Sequence, residues 1–110
     1  SLEDKRFILV ADRAYFSMDK VDRYAQTGQD FVIRLKENIH VSRKKSLKRA
    51  TVAGSNVVTD FTCIIGSAQK QTEKRHRVVE FVDYEGDLVR VVTNLLDVTA
   101  EEIAGMYKER

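Results

Sequence analysis

Several residue types that mark particular classes of protein are absent or scarce in this 110-residue sequence. It has no proline, whereas about five would be average for this length, so a long disordered linker is not expected. The single cysteine, Cys63, excludes an internal disulfide framework and fits a reducing cytosol. We therefore expect a cytoplasmic protein. One cysteine and two widely separated histidines are also too few for a zinc site.

Other absences concern the membrane and familiar catalytic motifs. No stretch approaches the roughly 18 apolar residues of a membrane span, and the first residues show no signal-peptide pattern. After the apolar run at residues 7–11 no glycine occurs before Gly28, which argues against nucleotide-binding loops of the Rossmann or P-loop type. No serine occupies a nucleophile elbow, and Cys63 lies within an apolar run, where an inert buried thiol is expected. His40 and His76 are expected at the surface of basic loops, with phosphate contact as the alternative.

What the sequence does contain begins with an apolar run that leads directly into a carboxylate. The length suits one globular domain or a piece of one. Residues 7–11 read F-I-L-V-A, and such a run predicts a strand buried on both faces of a parallel sheet. Asp12 would then stand at the carboxyl end of the strand, where open α/β sheets place ligands and chemistry. It could bind Mg²⁺ with further ligands from elsewhere, or it could simply turn the chain.

The next segment predicts a helix and a second strand. Ser17 is a good N-cap, apolar residues follow at helical spacing, and Gly28 suits the residue after the helix. Residues 31–35 then form another β-type run. A strand, a short helix and a strand make a βαβ unit, so the two strands should be parallel and adjacent.

Residues 36–93 are predicted to be basic and rich in β-structure. Residues 36–54 fit no single period, and we expect an irregular excursion with a short strand near Val41 or at residues 51–53. Three β-type runs follow at Val57–Ile65, residues 78–84 and Leu88–Thr93, the last two joined as an antiparallel hairpin. The polar connection at residues 66–77 is expected to be an exposed loop or a strand extension.

The last segment predicts a helix that begins with a capping box. The Thr99 hydroxyl and the Glu102 carboxylate, three residues apart, can satisfy each other's backbone amides. The helix would bury Ile103 and Tyr107 and reach Arg110 without a glycine or proline stop. We expect that the sequence is a truncated piece of a longer protein.

Charge is distributed unevenly, although the net charge is only +2. The stretch from Arg34 to Arg77 holds eleven Lys and Arg against three acids, so the remainder is acidic. This asymmetry indicates a polyanionic partner for the middle of the chain, whereas the simpler alternative is a solvated surface with acidic neighbours. The basic residues are Arg34, Lys36, Arg43, Lys44, Lys45, Lys48, Arg49, Lys70, Lys74, Arg75 and Arg77.

Three stretches together carry a resemblance to a known family. They are D-R-A-Y from Asp12, F-V-I-R-L-K-E-N from Phe31, and the segment from Thr93 to the end. They resemble bacterial DDE transposases of the insertion-sequence-four type. In that family a catalytic Asp ends a strand and is followed, after one residue, by Gly or Ala and an aromatic. A later helix in that family spaces Tyr, Arg, Glu and Lys, and Tyr107 with Arg110 matches its start.

The resemblance implies a ribonuclease H-like core with an antiparallel β-rich insertion, and hence an α/β fold. Residues 1–35 would belong to the core, residues 36–93 to the insertion, and residues 94–110 to the helix that leads to the catalytic Glu. The family uses two Asp and one Glu to hold Mg²⁺ or Mn²⁺ ions in DNA cleavage and strand transfer. Asp12 would be the second Asp, with its partners outside this sequence. The fragment alone is expected to be inactive and to bind no metal.

The resemblance also implies DNA as the partner, as insertion-sequence ends and target DNA, and a homodimer for the intact transposase. Tyr107 and Arg110 would contact phosphates near the cut, on one face of the helix with the Glu that follows. The basic middle would add sequence-independent phosphate contacts. The residues expected to make them are Arg34, Lys36, Arg43, Lys44, Lys45, Lys74, Arg75 and Arg77.

Three other functions remain open on the sequence. One is a ribonuclease H-like nuclease without strand transfer. Another is a non-enzymatic nucleic-acid-binding α/β domain that uses the basic segment alone. The third is a soluble α/β interaction domain with no nucleic-acid role.

Overall fold

The apolar run before Asp12 forms the first strand of a mixed sheet in the computed structural model, which describes residues 7–48, 50 and 52–109. A 3-10 turn at Arg13–Tyr15 follows this strand. The strands are β1 (Leu9–Ala11), β2 (Phe31–Arg34), β3 (Val41–Ser46), β4 (Val57–Ile65), β5 (His76–Val82) and β6 (Leu88–Thr93). The helices are α1 (Met18–Thr27) and α2 (Ala100–Lys108).

All six strands belong to one sheet in the order β1-β2-β6-β5-β4-β3. β1 and β2 are parallel, with Ala11 opposite Ile33, so the predicted βαβ unit is confirmed. The other neighbours are antiparallel, including the predicted β5–β6 hairpin. The α/β class is therefore confirmed. The strands of the basic segment continue the sheet begun by β1 and β2, because β6 is hydrogen-bonded to β2.

One helix packs on each face of the sheet. Since side chains alternate along a strand, each strand contributes to two apolar layers. α1 buries Val21 against one face, and Ile103 of α2 lies against the other. The first layer includes Phe31, Ile33, Phe61, Cys63, Ile65, Val78 and Val92. The second includes Val32, Val79, Phe81, Val89 and Val91.

The helix ends follow the sequence signals. The Ser17 hydroxyl accepts a hydrogen bond from the Lys20 amide at 3.1 Å, and Gly28 adopts φ 82° at the end of α1. Thr99 and Glu102 form both hydrogen bonds of the predicted capping box. α2 ends at Lys108, and Arg110 lies outside the described residues.

Several boundaries differ from the sequence-based expectation. Phe7 is exposed and β1 starts at Leu9, whose side chain is only half-buried, because β1 is an edge strand. The expected short strand near Val41 is confirmed, and it extends to Ser46 with an irregular register after Ser42. Residue 51 lies outside the described residues, and Ala53 is in a turn.

The connection between β4 and β5 is less exposed than predicted. β5 begins at His76 rather than at residue 78, and the side chains of Thr72, His76 and Arg77 are buried. The prediction that His76 lies at the surface is therefore wrong. His76 and Arg77 can be buried because Asp22 of α1 and Asp60 of β4, both distant in the sequence, satisfy them. Thr72 is satisfied locally, by the Ile65 amide and the Lys74 carbonyl oxygen. Within the described ranges, no helix has the length and apolar character that crossing a membrane requires.

Candidate functional site

Asp12 lies where the sequence placed it, immediately after β1. Its backbone is extended, and its Oδ1 accepts a hydrogen bond from the Ala14 amide at 3.0 Å, which caps the following 3-10 turn. The side chain is exposed. Because Ala11 pairs with Ile33 in parallel strands, Asp12 and Arg34 occupy equivalent positions at the carboxyl edge of the sheet. Asp12 therefore both turns the chain and presents a carboxylate to solvent.

A metal ion would need more than this carboxylate. No group of three or more His, Cys, Asp or Glu side chains with metal-binding geometry occurs among the residues that the structure describes. Mg²⁺ prefers six oxygen ligands and is usually held by one or two carboxylates together with water and substrate phosphates. Asp12 fits the chemistry of one such ligand, but the described residues alone do not form a complete metal site.

Arg34 and the end of α2 meet in a cleft of about 540 Å³. Arg34 ends β2 and is half-buried, and its side chain makes no hydrogen bond or ion pair with any residue in the described part of the chain. Tyr107 is only 6 % exposed, and its ring packs 6.4 Å from that of Phe81. The cleft thus combines an available guanidinium with an aromatic ring and the Lys108 side chain. Its remaining lining residues are Asn56, Phe81, Val82, Asp83, Tyr84, Val89, Glu101, Ala104 and Gly105.

The structure describes only one of the two predicted DNA contacts at the end of the chain, which are Tyr107 and Arg110. Tyr107 is largely buried and lines the cleft. Arg110 lies outside the described residues. The structure brings Tyr107 together with Arg34, a pairing that the sequence did not indicate because the two are far apart in the chain.

Most of the other predicted phosphate contacts are exposed side chains near the β3 edge of the sheet. Arg75 donates from its guanidinium to the carbonyl oxygen of Arg43 at 2.6 Å, and approaches the Thr62 hydroxyl at 3.3 Å. The Lys44 ammonium lies 5.1 Å from the centre of the Phe61 ring. The Arg75 bond to Arg43 joins β3 to the β4–β5 connection, and the Lys44 contact joins β3 to β4. We call the exposed group Arg43, Lys44, Lys45, Lys74 and Arg75 the basic ridge.

Lys36 is also exposed, but it follows β2 and is separate from the basic ridge in the chain.

Arg77 does not belong to this surface, and the prediction that it contacts DNA does not hold. Its side chain is buried, and its Nε and Nη2 donate to both oxygens of Asp60 at 2.8 Å. Its Nη1 donates to the carbonyl oxygens of Leu95 and Val98 at 2.9 and 2.8 Å. Every nitrogen of the guanidinium is therefore bonded within the protein.

A second buried polar contact was not predicted from the sequence. His76 Nε2 lies 2.8 Å from Asp22 Oδ1, and the His76 side chain is almost wholly inaccessible. Asp22 also accepts hydrogen bonds from the amides of Glu73 and Lys74, at 2.8 and 3.1 Å. Burial raises the pKa of Asp22, but the hydrogen bonds and the His76 charge outweigh burial. The pKa of Asp22 consequently lies below its ordinary value.

The expectation for Cys63 is confirmed. The thiol is buried in β4, and burial raises its pKa to about 11, although nearby Arg90, Arg75 and Lys44 act in the opposite direction. A thiol with such a pKa is protonated at neutral pH and is a poor nucleophile. Cys63 therefore acts as a core residue.

Comparison with known proteins identifies the family. The family described as "Transposase DDE domain" matches residues 1–110. A probable transposase for insertion sequence element IS5377 of Geobacillus stearothermophilus is 50% identical over 109 residues, which are 99% of this chain and 29% of that protein. The chain thus spans less than a third of the length of this relative. No solved structure matches the chain. On this evidence the chain belongs to the DDE transposase domain family.

Proposed function

We propose that this chain supplies one metal-binding carboxylate, Asp12, to an insertion-sequence transposase that cleaves DNA and transfers the cut strand. The observation that supports the proposal is the exposed position of Asp12 at the carboxyl edge of the sheet, in a chain that belongs to the DDE transposase family. The remaining two carboxylates would come from parts of the parent protein beyond these residues. The relative is more than three times as long as the matched segment, which leaves room for them.

Asp12 would hold Mg²⁺ or Mn²⁺ together with those carboxylates. Metal ions at such a site activate the attacking hydroxyl and stabilise the leaving oxygen of a phosphodiester. Within this chain, Oδ2 of the exposed Asp12 is the atom suited to a metal, because Oδ1 accepts the Ala14 amide hydrogen. That hydrogen bond fixes the carboxylate orientation before any ligand arrives, as supporting hydrogen bonds do at metal sites.

DNA would lie against the same edge of the sheet and against the basic ridge. The half-buried Arg34 in the α2 cleft offers a guanidinium that can bind a phosphate through two nitrogens. The side chains of the basic ridge are exposed and can neutralise further phosphates. We propose Tyr107 and Arg110 as additional contacts near the cut, and insertion-sequence ends and target DNA as the substrates of a homodimeric parent.

We also propose the finer classification that the sequence motifs favour. It is the insertion-sequence-four type. Residues 1–35 would belong to its ribonuclease H-like core, and residues 36–93 to the β-rich insertion. The parallel β1–β2 pair with α1 on one face and α2 on the other supports it. In this division the insertion extends the core sheet rather than forming a separate layer, since β6 pairs with β2.

The decisive experiment uses Asp12→Asn in the full-length parent transposase with an end-labelled insertion-sequence end and Mg²⁺. We expect cleavage to fall on the order of 100-fold or more, the loss typical of removing one preorganised electrostatic group, while DNA affinity is retained. Asp97→Asn is the matched control, because Asp97 is also exposed but lies in the connection between β6 and α2. Full cleavage by the Asp12 variant would reject the assignment.

The same assay separates a transposase from a ribonuclease H-like nuclease. A transposase joins the labelled end to a second DNA molecule, whereas a nuclease yields only cleaved ends. If neither product forms but salt-sensitive DNA binding persists, the non-enzymatic DNA-binding function is the correct one.

A further inference from the structure

The acidic side of α1 holds the β4–β5 connection, residues 66–75, in place. Asp19 and Asp22 lie three residues apart and therefore share one side of the helix. Lys70 Nζ contacts Asp19 at 3.2 Å in an exposed ion pair, in the middle of the connection. Asp22 binds the end of the connection, where it meets β5.

The contacts of Asp22 are unlike those of an ordinary surface ion pair. Its two oxygens accept the consecutive amides of Glu73 and Lys74, and Oδ1 also meets the buried ring of His76. An ion pair fixes only a flexible side chain, but bonds to backbone amides fix the course of the main chain. The backbone on both sides of Lys74 and Arg75 is thereby held.

Arg75 is fixed at a second point, by its hydrogen bond to the carbonyl oxygen of Arg43. The Asp22 contacts and this bond together orient the part of the basic ridge contributed by the β4–β5 connection. Only 18 % of the Asp22 side chain is exposed, so its charge faces the protein rather than the solvent.

We infer that Asp22 is a positioning residue for DNA binding, which holds Lys74 and Arg75 in place for phosphate contact without touching DNA itself. This inference rests on the proposed function, in which the basic ridge binds phosphates. Positioning groups that order a charged loop before binding reduce the entropy lost in the complex.

The inference makes a prediction opposite in sign to simple electrostatics. Asp22→Asn removes a negative charge beside a phosphate-binding surface. If charge alone mattered, the loss of its repulsion of phosphate would strengthen DNA binding. If Asp22 acts by positioning, the same change weakens binding, because a neutral amide cannot accept both backbone amides and the His76 hydrogen bond. Asp19→Asn is the matched control: it removes the same charge from the same side of α1, but affects only the exposed pair with Lys70.

The experiment measures binding of the 110-residue chain to a fluorescent random-sequence DNA duplex at several salt concentrations. We expect Asp22→Asn to weaken binding roughly tenfold and to lower the salt slope by about one to two, as loss of one or two phosphate contacts does. Asp19→Asn should bind as well as the unsubstituted chain or better. Equal or tighter binding by the Asp22 variant would overturn the inference.

A double variant, Lys74→Ala with Arg75→Ala, separates the inference from the proposed function. If this variant binds DNA as well as the unsubstituted chain, the basic ridge is not a DNA surface and both ideas fail. If it binds weakly, Asp22→Asn is added to it. Positioning predicts no further loss in the triple variant, whereas general unfolding predicts an additional loss and would overturn the inference. Circular dichroism and thermal unfolding of each variant report whether the fold is intact.

Discussion

Arg77 and Asp60 are joined by two hydrogen bonds of 2.8 Å inside the protein, between neighbouring strands β5 and β4. The same guanidinium binds the carbonyl oxygens of Leu95 and Val98, in the connection that leads from β6 into α2. One buried side chain therefore attaches the start of α2 to the antiparallel half of the sheet. Since α2 carries Tyr107 to the cleft beside Arg34, this attachment also sets the geometry of the candidate site.

Breaking this pair should cost much stability. Arg77→Met leaves the Asp60 carboxylate in the interior without the guanidinium, and loss of one partner of a buried pair typically costs about 3–5 kcal/mol. Urea unfolding monitored by circular dichroism measures the change. Arg23→Met is the control, because Arg23 is exposed on α1, and surface changes usually stay within about 0.5 kcal/mol. Equal losses in the two variants would contradict the structural role of Arg77.

Gly66 should tolerate no side chain. It adopts φ 116° at the start of the β4–β5 connection, and a Cβ atom there would lie 2.3 Å from the carbonyl oxygen of Lys70 and 2.7 Å from Cα of Gln71. Gly66→Ala must therefore move the backbone as well as strain φ, and we expect a loss above the roughly 1–2 kcal/mol of left-handed strain alone. Gly86→Ala isolates that strain, since Gly86 has φ 89° and open space around it. A thermal unfolding series compares the two, and a smaller loss for Gly66 would refute the prediction.

The contribution of the Asp22 carboxylate to the stability of the fold should decrease as the pH falls. Its pKa in the folded chain lies below the ordinary value of 3.8, so the folded state favours the carboxylate. Such a group stabilises the fold at pH values above 3.8, and that stabilisation is lost as pH falls through the lowered pKa. The difference in unfolding free energy between the unsubstituted chain and Asp22→Asn should therefore shrink below pH 3.8. A difference that grows in acid would have the wrong sign.

The sequence predicted the local features of this fold better than its long-range contacts. Ser17, Gly28 and the Thr99–Glu102 pair act within a few residues of themselves, so their capping geometry follows from neighbouring residues. The parallel β1–β2 pair followed from the short helix between the strands. The position of β6 between β2 and β5 did not, because no local signal records which strands become neighbours.

The same difference between local features, which the sequence predicted, and long-range contacts, which it did not, holds for the candidate site. The exposed end position of Asp12 follows from the apolar run before it. His76 and Arg77 were expected among exposed basic residues, yet they are buried by contacts with Asp22 and Asp60. Those partners are 54 and 17 residues away in the chain. The sequence signal that could have indicated this burial is a charged residue inside a β-type run. Such a residue is buried only when another charge or polar group pairs with it.

Arg34 and Arg90 should show opposite patterns of effects. The Arg34 side chain has no ion-pair or hydrogen-bond partner within the described ranges, so Arg34→Met should leave stability unchanged or raise it. It should also weaken DNA binding by removing a phosphate contact. Arg90 lies 3.2 Å from Glu80 and donates to the carbonyl oxygen of Ile39. Arg90→Met should therefore lower stability and leave the salt slope of DNA binding unchanged.

Both variants are measured by urea unfolding and by binding to a random-sequence duplex across a salt series. Loss of one phosphate contact lowers the salt slope by about 1, which is the change expected for Arg34→Met alone. Because the two arginines have the same charge, a general effect of net charge would move both slopes equally. Equal slopes for the two variants would therefore show that Arg34 contributes only long-range charge, and that the cleft beside Tyr107 is not a phosphate contact.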